Sequence, residues 1–374
     1  MSLGNQVEKP RFFIDLLQYQ YEIGNVGTIA QANWGGFEKH PYILGLSPTR
    51  FFESDPNPAG TYQYFKVGFD YPISIPPNKD IFIAVLGHDW ATKGYSIKLI
   101  FDRGGDPPNS FLDDDDAVNS ADTQDTNEID IVNKECSYDG WSIYTITPDY
   151  TDSITGIKVQ INDMDVGDTF KLGGLAMGFV YEPEFHADLA VTQSRIMDGV
   201  KNKQTKGGHT YSVINHLRPP DWWTGSPFEL TDPELIEPGI AFSNARLGRR
   251  SWDVGFSQLS DRFYSSGVPN GVFPANEMIN VHSPDTVNGN YSSDEDYDSE
   301  AEPNVFNYNI NTDTSLYSTV YHHTLGGTLP FLFSPSQDNS PQNYAICRFD
   351  KPGFKVTQKS YNKFNIKMKI NESW

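Results

Sequence analysis

Apolar residues recur at every second position along most of this chain, and that period belongs to β-strands with one buried face. The closing segment is the clearest instance. In "YNKFNIKMKINESW" (361–374), Phe364, Ile366, Met368 and Ile370 alternate with Asn365, Lys367 and Lys369, and the segment finishes on Trp374. Most termini fray, so a terminus written as an amphipathic strand is built to dock into a sheet. "YSIKLIF" (95–101) and "GIKVQI" (156–161) alternate in the same way. "IFIAVLG" (81–87) is apolar on both faces and reads as a strand in the middle of a sheet. "FKLGGLAMGFVY" (170–181) restarts its alternation after Gly173–Gly174, which predicts a bend or bulge before the last strand.

The second half continues the pattern. "DLAVTQSRIM" (188–197) and "HTYSVINHL" (209–217) are expected to pair with each other across the polar "KNKQTKGG". "RRSWDVGFSQL", "VFNYNI", "SLYSTVY", "TLPFLF", "YAICRF" and "FKVTQK" read as further strands before the terminal one. One short helix is expected in "TDPELIEP", where Asp232 caps, Pro233 occupies the first turn and Pro238 ends it. Two acidic stretches, 102–130 and 288–304, hold too few apolar residues to offset the entropy of ordering them, and both read as long exposed loops. No internal repeat and no long amphipathic helix stands out. A composition shift at "VYEPEFHADLA" (180–190) places a domain boundary that divides the chain into 1–185 and 186–374. The fold class that follows is all-β.

Composition agrees. Of 374 residues, 20 are Tyr and 24 Phe, a usage that suits sheets, and the 31 Gly and 25 Pro are scattered as punctuation. The formal net charge of −21 argues against direct nucleic-acid binding and against anionic membranes, both of which need a positive surface. Two widely spaced cysteines, Cys136 and Cys347, make no disulfide framework, and Cys347 within "NYAICRF" reads as a buried free thiol. The first residues, "MSLGNQVEKPRFF", carry no apolar signal core, and no apolar run is long enough to span a bilayer as a helix. The expectation is a chain made in a cytoplasm and not inserted in a membrane.

Signatures of catalysis are missing: there is no nucleophile elbow, P-loop, zinc-binding or dinucleotide motif. No enzyme activity, cofactor or metal is therefore expected. His322–His323, read at a strand end, face opposite sides and do not chelate one ion. "DDDD" (113–116) and "NDMDVGD" (162–168) are rich in carboxylates, but neither matches the ligand spacing of a calcium loop. In "LGHDW" (86–90) two readings stand. In one, His88 bonds loop backbone and Trp90 caps the core; in the other, Trp90 is a rim aromatic on which a sugar ring stacks. Trp141, at the start of "WSIYTI", carries the same pair of readings. Trp222 and Trp223, adjacent in "PPDWWTG", pack under their own loop or meet another subunit, and Trp374 completes a sheet within or between subunits.

Two blocks carry a resemblance. "PRFFIDLLQYQ … YILGLSPTRFF … KDIFIAVLGHDWATKGYSIKLIFD" resembles the jelly-roll, discoidin-like and carbohydrate-binding-like module of tailed-bacteriophage structural proteins. "GVKNKQTKGGHTYSV", "GRRSWDVGFSQLSD", "HTLGGTLPFLFSPSQDNSPQNYAICRFD" and "NKFNIKMKINESW" resemble distal-tail-like proteins of the tail tip or baseplate. The acidic stretches at 102–130 and 288–304 match neither pattern. The resemblance implies an N-terminal jelly-roll β-sandwich and a C-terminal tail-tube-like β-domain with long acidic loops. It implies a virion component of the tail, made in the host bacterial cytoplasm, that forms a ring with copies of itself and meets other tail proteins. It implies a host-surface polysaccharide as a further ligand of the first module, and an acidic wall suits a conduit for DNA. The competing readings are a non-catalytic carbohydrate-binding protein, a tail-fibre or adhesin component and, least supported, a glycan-degrading enzyme, which needs a carboxylate pair that sequence cannot place.

Overall fold

The structure is a computed structural model that describes residues 9–32, 41–46, 52–57, 63–74, 80–102, 128–135, 140–147, 153–183, 186–188, 191–196, 200–214, 249–260, 316–336, 344–353, 355–360 and 363–373. Its first half runs β1 (Arg11–Asp15), α1 (Leu16–Glu22), β2 (Val26–Ala32), β3 (Phe52–Glu53), β4 (Gln63–Ser74), β5 (Ile81–Leu86), α2 (Trp90–Lys93), β6 (Ser96–Asp102), β7 (Glu128–Glu135), β8 (Trp141–Ile146), β9 (Ser153–Asn162), β10 (Lys171–Leu172) and β11 (Gly174–Tyr181). The second half adds β12 (Thr192–Ile196), β13 (Val200–Gln204), β14 (Thr210–Ile214), β15 (Arg249–Ser260), a π-helical turn (Tyr317–His322), β16 (Phe331–Ser334), β17 (Ala345–Phe349), β18 (Val356–Ser360) and β19 (Lys363–Glu372). Every strand pairing among the described residues is antiparallel. The fold is all-β.

A ten-stranded sheet in the order β12-β15-β19-β17-β16-β1-β11-β5-β8, with β18 on β19, takes strands from both halves of the described residues. A five-stranded sheet, β2-β4-β9-β6-β7, packs on its β11-β5-β8 end. The interface is the alternation seen in the sequence. Ile81, Ile83 and Val85 of β5 and Leu175, Met177 and Phe179 of β11 meet Phe65 and Val67 of β4, Ile97, Leu99 and Phe101 of β6, and Ile157, Val159 and Ile161 of β9. The opposite faces of β5 and β11 are also buried, in a cluster of Phe13, Phe82, Ala84, Leu86, Ala176 and Leu332. This is why "IFIAVLG" shows no polar position. Burying each such side chain stabilises the fold by about 1.5–3 kcal/mol.

The large sheet continues across position 185. β1 lies between β11 and β16, pairing antiparallel with both, so the first strand of the chain joins the two halves. Phe12 sits at that seam, with ring centroids 6.1 Å from Tyr181, 5.9 Å from Phe331 and 5.3 Å from Phe333. β1 and β11 approach so closely that a Cβ on Gly178 would lie 1.9 Å from the Ile14 carbonyl oxygen, and only glycine fits there. Asp15 then turns the chain into α1, its Oδ1 accepting from the Leu17 and Gln18 amides at 3.0 and 3.3 Å.

The terminal strand docks as its pattern demands. β19 pairs with β15, β17 and β18. Ile366, Met368 and Ile370 join Trp252, Val254 and Phe256 in a second core that also takes Phe12, Phe331 and the buried free thiol of Cys347.

Three expectations are corrected. "DLAVTQSRIM" does not pair with "HTYSVINHL": β12 pairs with β15, while β14 folds back on β13, which lies inside the stretch read as a connection. "SLYSTVY" is a π-helical turn, not a strand, with Leu316 and Val320 buried one turn apart. His322 therefore ends a helical turn and not a strand. The expected helix at 231–238, the strand at 305–310 and the bulk of both acidic loops lie outside the described residues.

Candidate functional site

The core face of the five-stranded sheet is apolar, so its chemistry lies on the other face, on β4, β9 and β6. Strand register lays out a lattice there, because directly opposed residues share a face. One row runs Tyr64–Gln160–Lys98, and Lys66–Lys158–Ile100 lies beside it. Ala32 and Ala30 of β2 stand opposite Tyr64 and Lys66, and Gly68 faces Gly156 one row further on.

The lysines converge on the tyrosine. The Lys66 ammonium lies 5.0 Å and the Lys158 ammonium 5.3 Å from the centre of the Tyr64 ring, both within cation–π range. Lys66 is 2% exposed, its ammonium buried with the rest of the side chain, whereas Tyr64, Lys98, Lys158, Gln160 and Asn162 are half-buried. Gln160 Nε2 donates to Asn162 Oδ1 at 2.6 Å, which fixes both amides and aims a carbonyl acceptor and an amide donor from the same strand. In an acidic chain this face concentrates positive charge around one aromatic ring. None of these six residues is a carboxylate, so the arrangement is suited to holding a ligand and supplies no acid–base pair.

A second aromatic sits further along β4. Tyr71 is 75% exposed, yet its backbone is clamped: its amide donates to Asn25 Oδ1 at 2.8 Å, and Asn25 Nδ2 donates to its carbonyl at 3.0 Å. Asn25 Nδ2 also reaches Gln20 Oε1 at 2.7 Å, which holds the clamp to α1. Sequence reading passed over Tyr64 and Tyr71 because each lies inside a strand-like run, and only register shows which face a residue takes.

The rim reading of Trp90 is overturned. Trp90 opens α2 fully buried, its ring 5.0 Å from His88 and edge-on to Phe170 at 6.0 Å, so no face is open to a sugar. His88 is buried as well. Its Nδ1 accepts from the Trp90 amide at 3.3 Å, so Nε2 carries the proton and donates to Ser142 Oγ at 3.1 Å. The pair ties the β5–α2 turn to β8, which is the core-capping alternative. Trp141 occupies the first position of β8, opposite Leu86. Trp222, Trp223 and Trp374 lie outside the described residues.

The remaining titratable clusters have structural partners. Asp163 accepts from Ser96 Oγ at 2.6 Å, and Asp168 accepts from the Tyr95 hydroxyl at 2.8 Å and the Asp165 amide at 3.0 Å. Burial and then the Asp168 hydrogen bond raise the Tyr95 hydroxyl above its ordinary range. The "DDDD" run lies outside the described residues; among those described, no three His, Cys, Asp or Glu gather as metal ligands. His322 Nε2 lies 3.0 Å from the Tyr19 hydroxyl, and burial lowers its pKa. His323 Nδ1 donates to the Ser318 carbonyl at 2.7 Å. The His322 contact thus joins α1 to the π-helical turn, and the His323 hydrogen bond lies within that turn. No helix among the described residues is long and apolar enough to cross a membrane.

No protein-family model matches the sequence, and no curated protein matches it. Solved structures align over about two fifths of the chain. A pectin-binding carbohydrate-binding module aligns at 12% identity over 41% of this chain and 90% of its own, with a TM-score of 0.26. Chitosan-binding module 1 of a chitosanase/glucanase from Paenibacillus sp. IK-5 aligns at 13% identity over 41% and 95%, also at 0.26. A point mutant of a family 29 carbohydrate-binding module aligns at 11% identity over 42% and 77%, at 0.21.

Proposed function

We propose that this chain is a non-catalytic polysaccharide-binding protein whose ligand lies on the outer face of β4, β9 and β6. One observation carries the reading: the half-buried Tyr64 ring, with the Lys158 ammonium 5.3 Å from its centre, shares a face with half-buried Lys98 and the hydrogen-bonded amides of Gln160 and Asn162, above a buried Lys66. An aromatic ring stacks on the C–H face of a pyranose, amides meet its hydroxyls, and ammonium groups meet carboxylates or sulfates. The ligand that uses all three is an acidic polysaccharide, a uronate or sulfated chain. Because the whole protein carries −21, long-range charge opposes such a ligand, and this local cluster is what offsets it.

The setting is the finer part of the proposal. The resemblance of the sequence blocks to tail-tip and baseplate proteins supports a virion component that assembles with copies of itself and with other tail proteins. Isothermal titration of the full chain with polygalacturonate, alginate and a neutral glucan tests the ligand. Binding to the acidic polymers that Tyr64→Ala and Lys158→Gln each weaken at least tenfold is expected. Absence of binding to all three polymers, or undiminished binding by both variants, overturns it. Immunogold labelling of purified particles tests the setting separately, and an unlabelled tail overturns that part alone.

A further inference from the structure

The C-terminal end of the large sheet carries positive charge that the glycan-binding face does not use. Residues 348–369 hold seven of the chain's 28 Lys and Arg and one acid, Asp350. Strand alternation sorts them. Ile366, Met368 and Ile370 point into the core, so Asn365, Lys367 and Lys369 take the opposite face of β19. Lys367 and Lys369 are exposed and, two residues apart on one strand, lie about 7 Å from each other. Thr357 of β18 stands opposite Asn365. The register that pairs Val356 with Ile366, continued by one residue, brings exposed Lys355 alongside Lys367, and exposed Lys359 sits at the bulge that ends the row. Among the described residues no hydrogen bond or ion pair holds any of these four lysines. The acids of this face lie towards β15. Asp253 stands opposite Lys369, and Asp188, beside Gly255, is already taken by the Ser257 amide and hydroxyl at 3.0 and 2.6 Å.

Edge protection explains part of this. Among the described residues β18 pairs only with β19, and lysines on such an edge deter pairing with another chain. β19 is no edge: it lies between β15 and β18, so Lys367 and Lys369 need another reason. Like charges side by side across two strands destabilise a sheet, and a bound anion removes that cost. These lysines also face away from the first site. The face on which the five-stranded sheet packs runs by register from Phe179 and Ile14, through Phe333 and Phe349, to Ile370, and Lys367 and Lys369 occupy the reverse. The chemistry repeats that of the Tyr64 site without its ring: ammonium groups beside an amide, Asn365, and a hydroxyl, Thr357.

We infer that the face of Lys355, Lys359, Lys367 and Lys369 is a second binding site for an acidic polysaccharide, so that one chain bridges two polymer strands. Charge complementarity selects the ligand, and Asn365 and Thr357 meet sugar hydroxyls between its carboxylates or sulfates. The inference rests on the polysaccharide reading above and adds a contact driven by charge alone, since no aromatic ring lies on this face among the described residues. Isothermal titration of the full chain with a short oligogalacturonate tests it, alongside turbidity of a mixture with long polygalacturonate and with circular dichroism as the folding control. Two oligosaccharides per chain are expected at 50 mM NaCl, and the polymer mixture turns turbid as strands are bridged. At 500 mM NaCl the second site is expected to weaken at least tenfold, since screening acts on exposed charges. Lys355→Gln/Lys359→Gln/Lys367→Gln/Lys369→Gln is expected to bind one oligosaccharide per chain, to leave the mixture clear and to keep its spectrum. Should it fold poorly, Lys367→Gln/Lys369→Gln supplies the same reading as at least a tenfold weakening of the second site. Tyr64→Ala/Lys158→Gln, which removes the first site, is also expected to bind one and to leave the mixture clear. One oligosaccharide per wild-type chain, unaffected by the lysine substitutions, overturns the second site and leaves the first standing, and two that survive those substitutions do the same. One per chain, lost only with the lysines, overturns the first site and the bridging together, and no binding at all overturns both sites. Duplex DNA bound through these lysines, with a single oligosaccharide per chain, overturns the choice of ligand.

Discussion

Arg250 and Glu372 form a buried ion pair that fastens β15 to the end of β19. Arg250 Nη2 meets Glu372 Oε1 at 2.9 Å, its Nε lies 3.2 Å from Oε2, and its own backbone amide donates to Oε2 at 2.7 Å. Nη2 also donates to the Tyr344 carbonyl at 2.7 Å, and the guanidinium lies 5.3 Å from the Trp252 ring centre. The carboxylate thus serves a side chain and a main chain at once. Next to the pair, burial first and the Glu372 charge second push the Cys347 thiol well above its ordinary value. Removing one partner strands the other charge, so Glu372→Gln is expected to lose about 3–5 kcal/mol in urea unfolding. An Arg250→Met/Glu372→Leu double variant is expected to recover most of it, because two apolar groups leave no charge uncompensated. A loss under 1 kcal/mol in Glu372→Gln, well inside the range of a surface pair, would show that the pair is solvated.

Asp15 gives the fold a pH dependence with a definite sign. Burial pushes its carboxyl up to about 8, against the opposing pull of the Gln18, Met177 and Leu17 amides. The folded state therefore holds a proton that the unfolded chain releases near 4. Its contribution is fully present below pH 4, is lost as pH rises towards 8, and is flat above that. Asp15→Asn keeps an acceptor for the three amides and carries no charge. Thermal unfolding between pH 5 and 9 is expected to show a smaller decline for this variant than for wild type, and a higher Tm at pH 9. Parallel profiles would show that Asp15 does not titrate in this window.

What the sequence revealed and what it hid divide along locality. β19, β17, β16 and β9 were legible because alternation is a local property and a buried face fixes it. "SLYSTVY" misled because its apolar residues satisfy both periods: Leu316 and Val320 fit a helical turn as well as a strand, and packing against β1 and β11 decides between them. The β13–β14 hairpin was hidden because "KNKQ" is polar on both faces, so no hydrophobic pattern marks it as strand. The seating of β1 between β11 and β16, strands more than 150 residues apart in sequence, has no local signature. Nor does the Tyr64 site, which exists only through cross-strand register. Trp90 was ambiguous for the same reason, since its burial depends on Phe170.

The position of β1 bears on the division at 185. If 1–185 and 186–374 are units of function, they are not expected to be independent units of folding. A chain ending at 185 keeps β11 beside β1 but loses β16, which leaves an unpaired edge and exposes Phe12. Such a fragment is expected to aggregate when expressed alone and to become soluble when co-expressed with 186–374. In the full chain, Phe12→Ala removes a ring touching both halves and is expected to cost about 3–5 kcal/mol. Its unfolding transition should stay single, because both halves share the lost contact; two resolved transitions in wild type would show that the halves fold separately.

Trp90 and Tyr64 separate stability from binding. Trp90 is enclosed by His88 and Phe170, and its indole N–H finds no acceptor among the described residues. Truncating it to alanine opens a cavity in the sandwich core and is expected to cost about 3–5 kcal/mol. Trp90→Phe removes the unpaired N–H and part of the ring, so lost packing is partly offset and a smaller cost is expected. Neither change touches the outer face of β4, so the folded Trp90→Phe protein is expected to bind acidic polysaccharide as wild type does. Tyr64→Ala removes a half-buried ring on that outer face, and its effect is expected in the titration, with a Tm shift smaller than that of Trp90→Ala. The reverse pattern, with binding lost in Trp90→Phe and retained in Tyr64→Ala, would move the ligand from the sheet face to the β5–α2 turn.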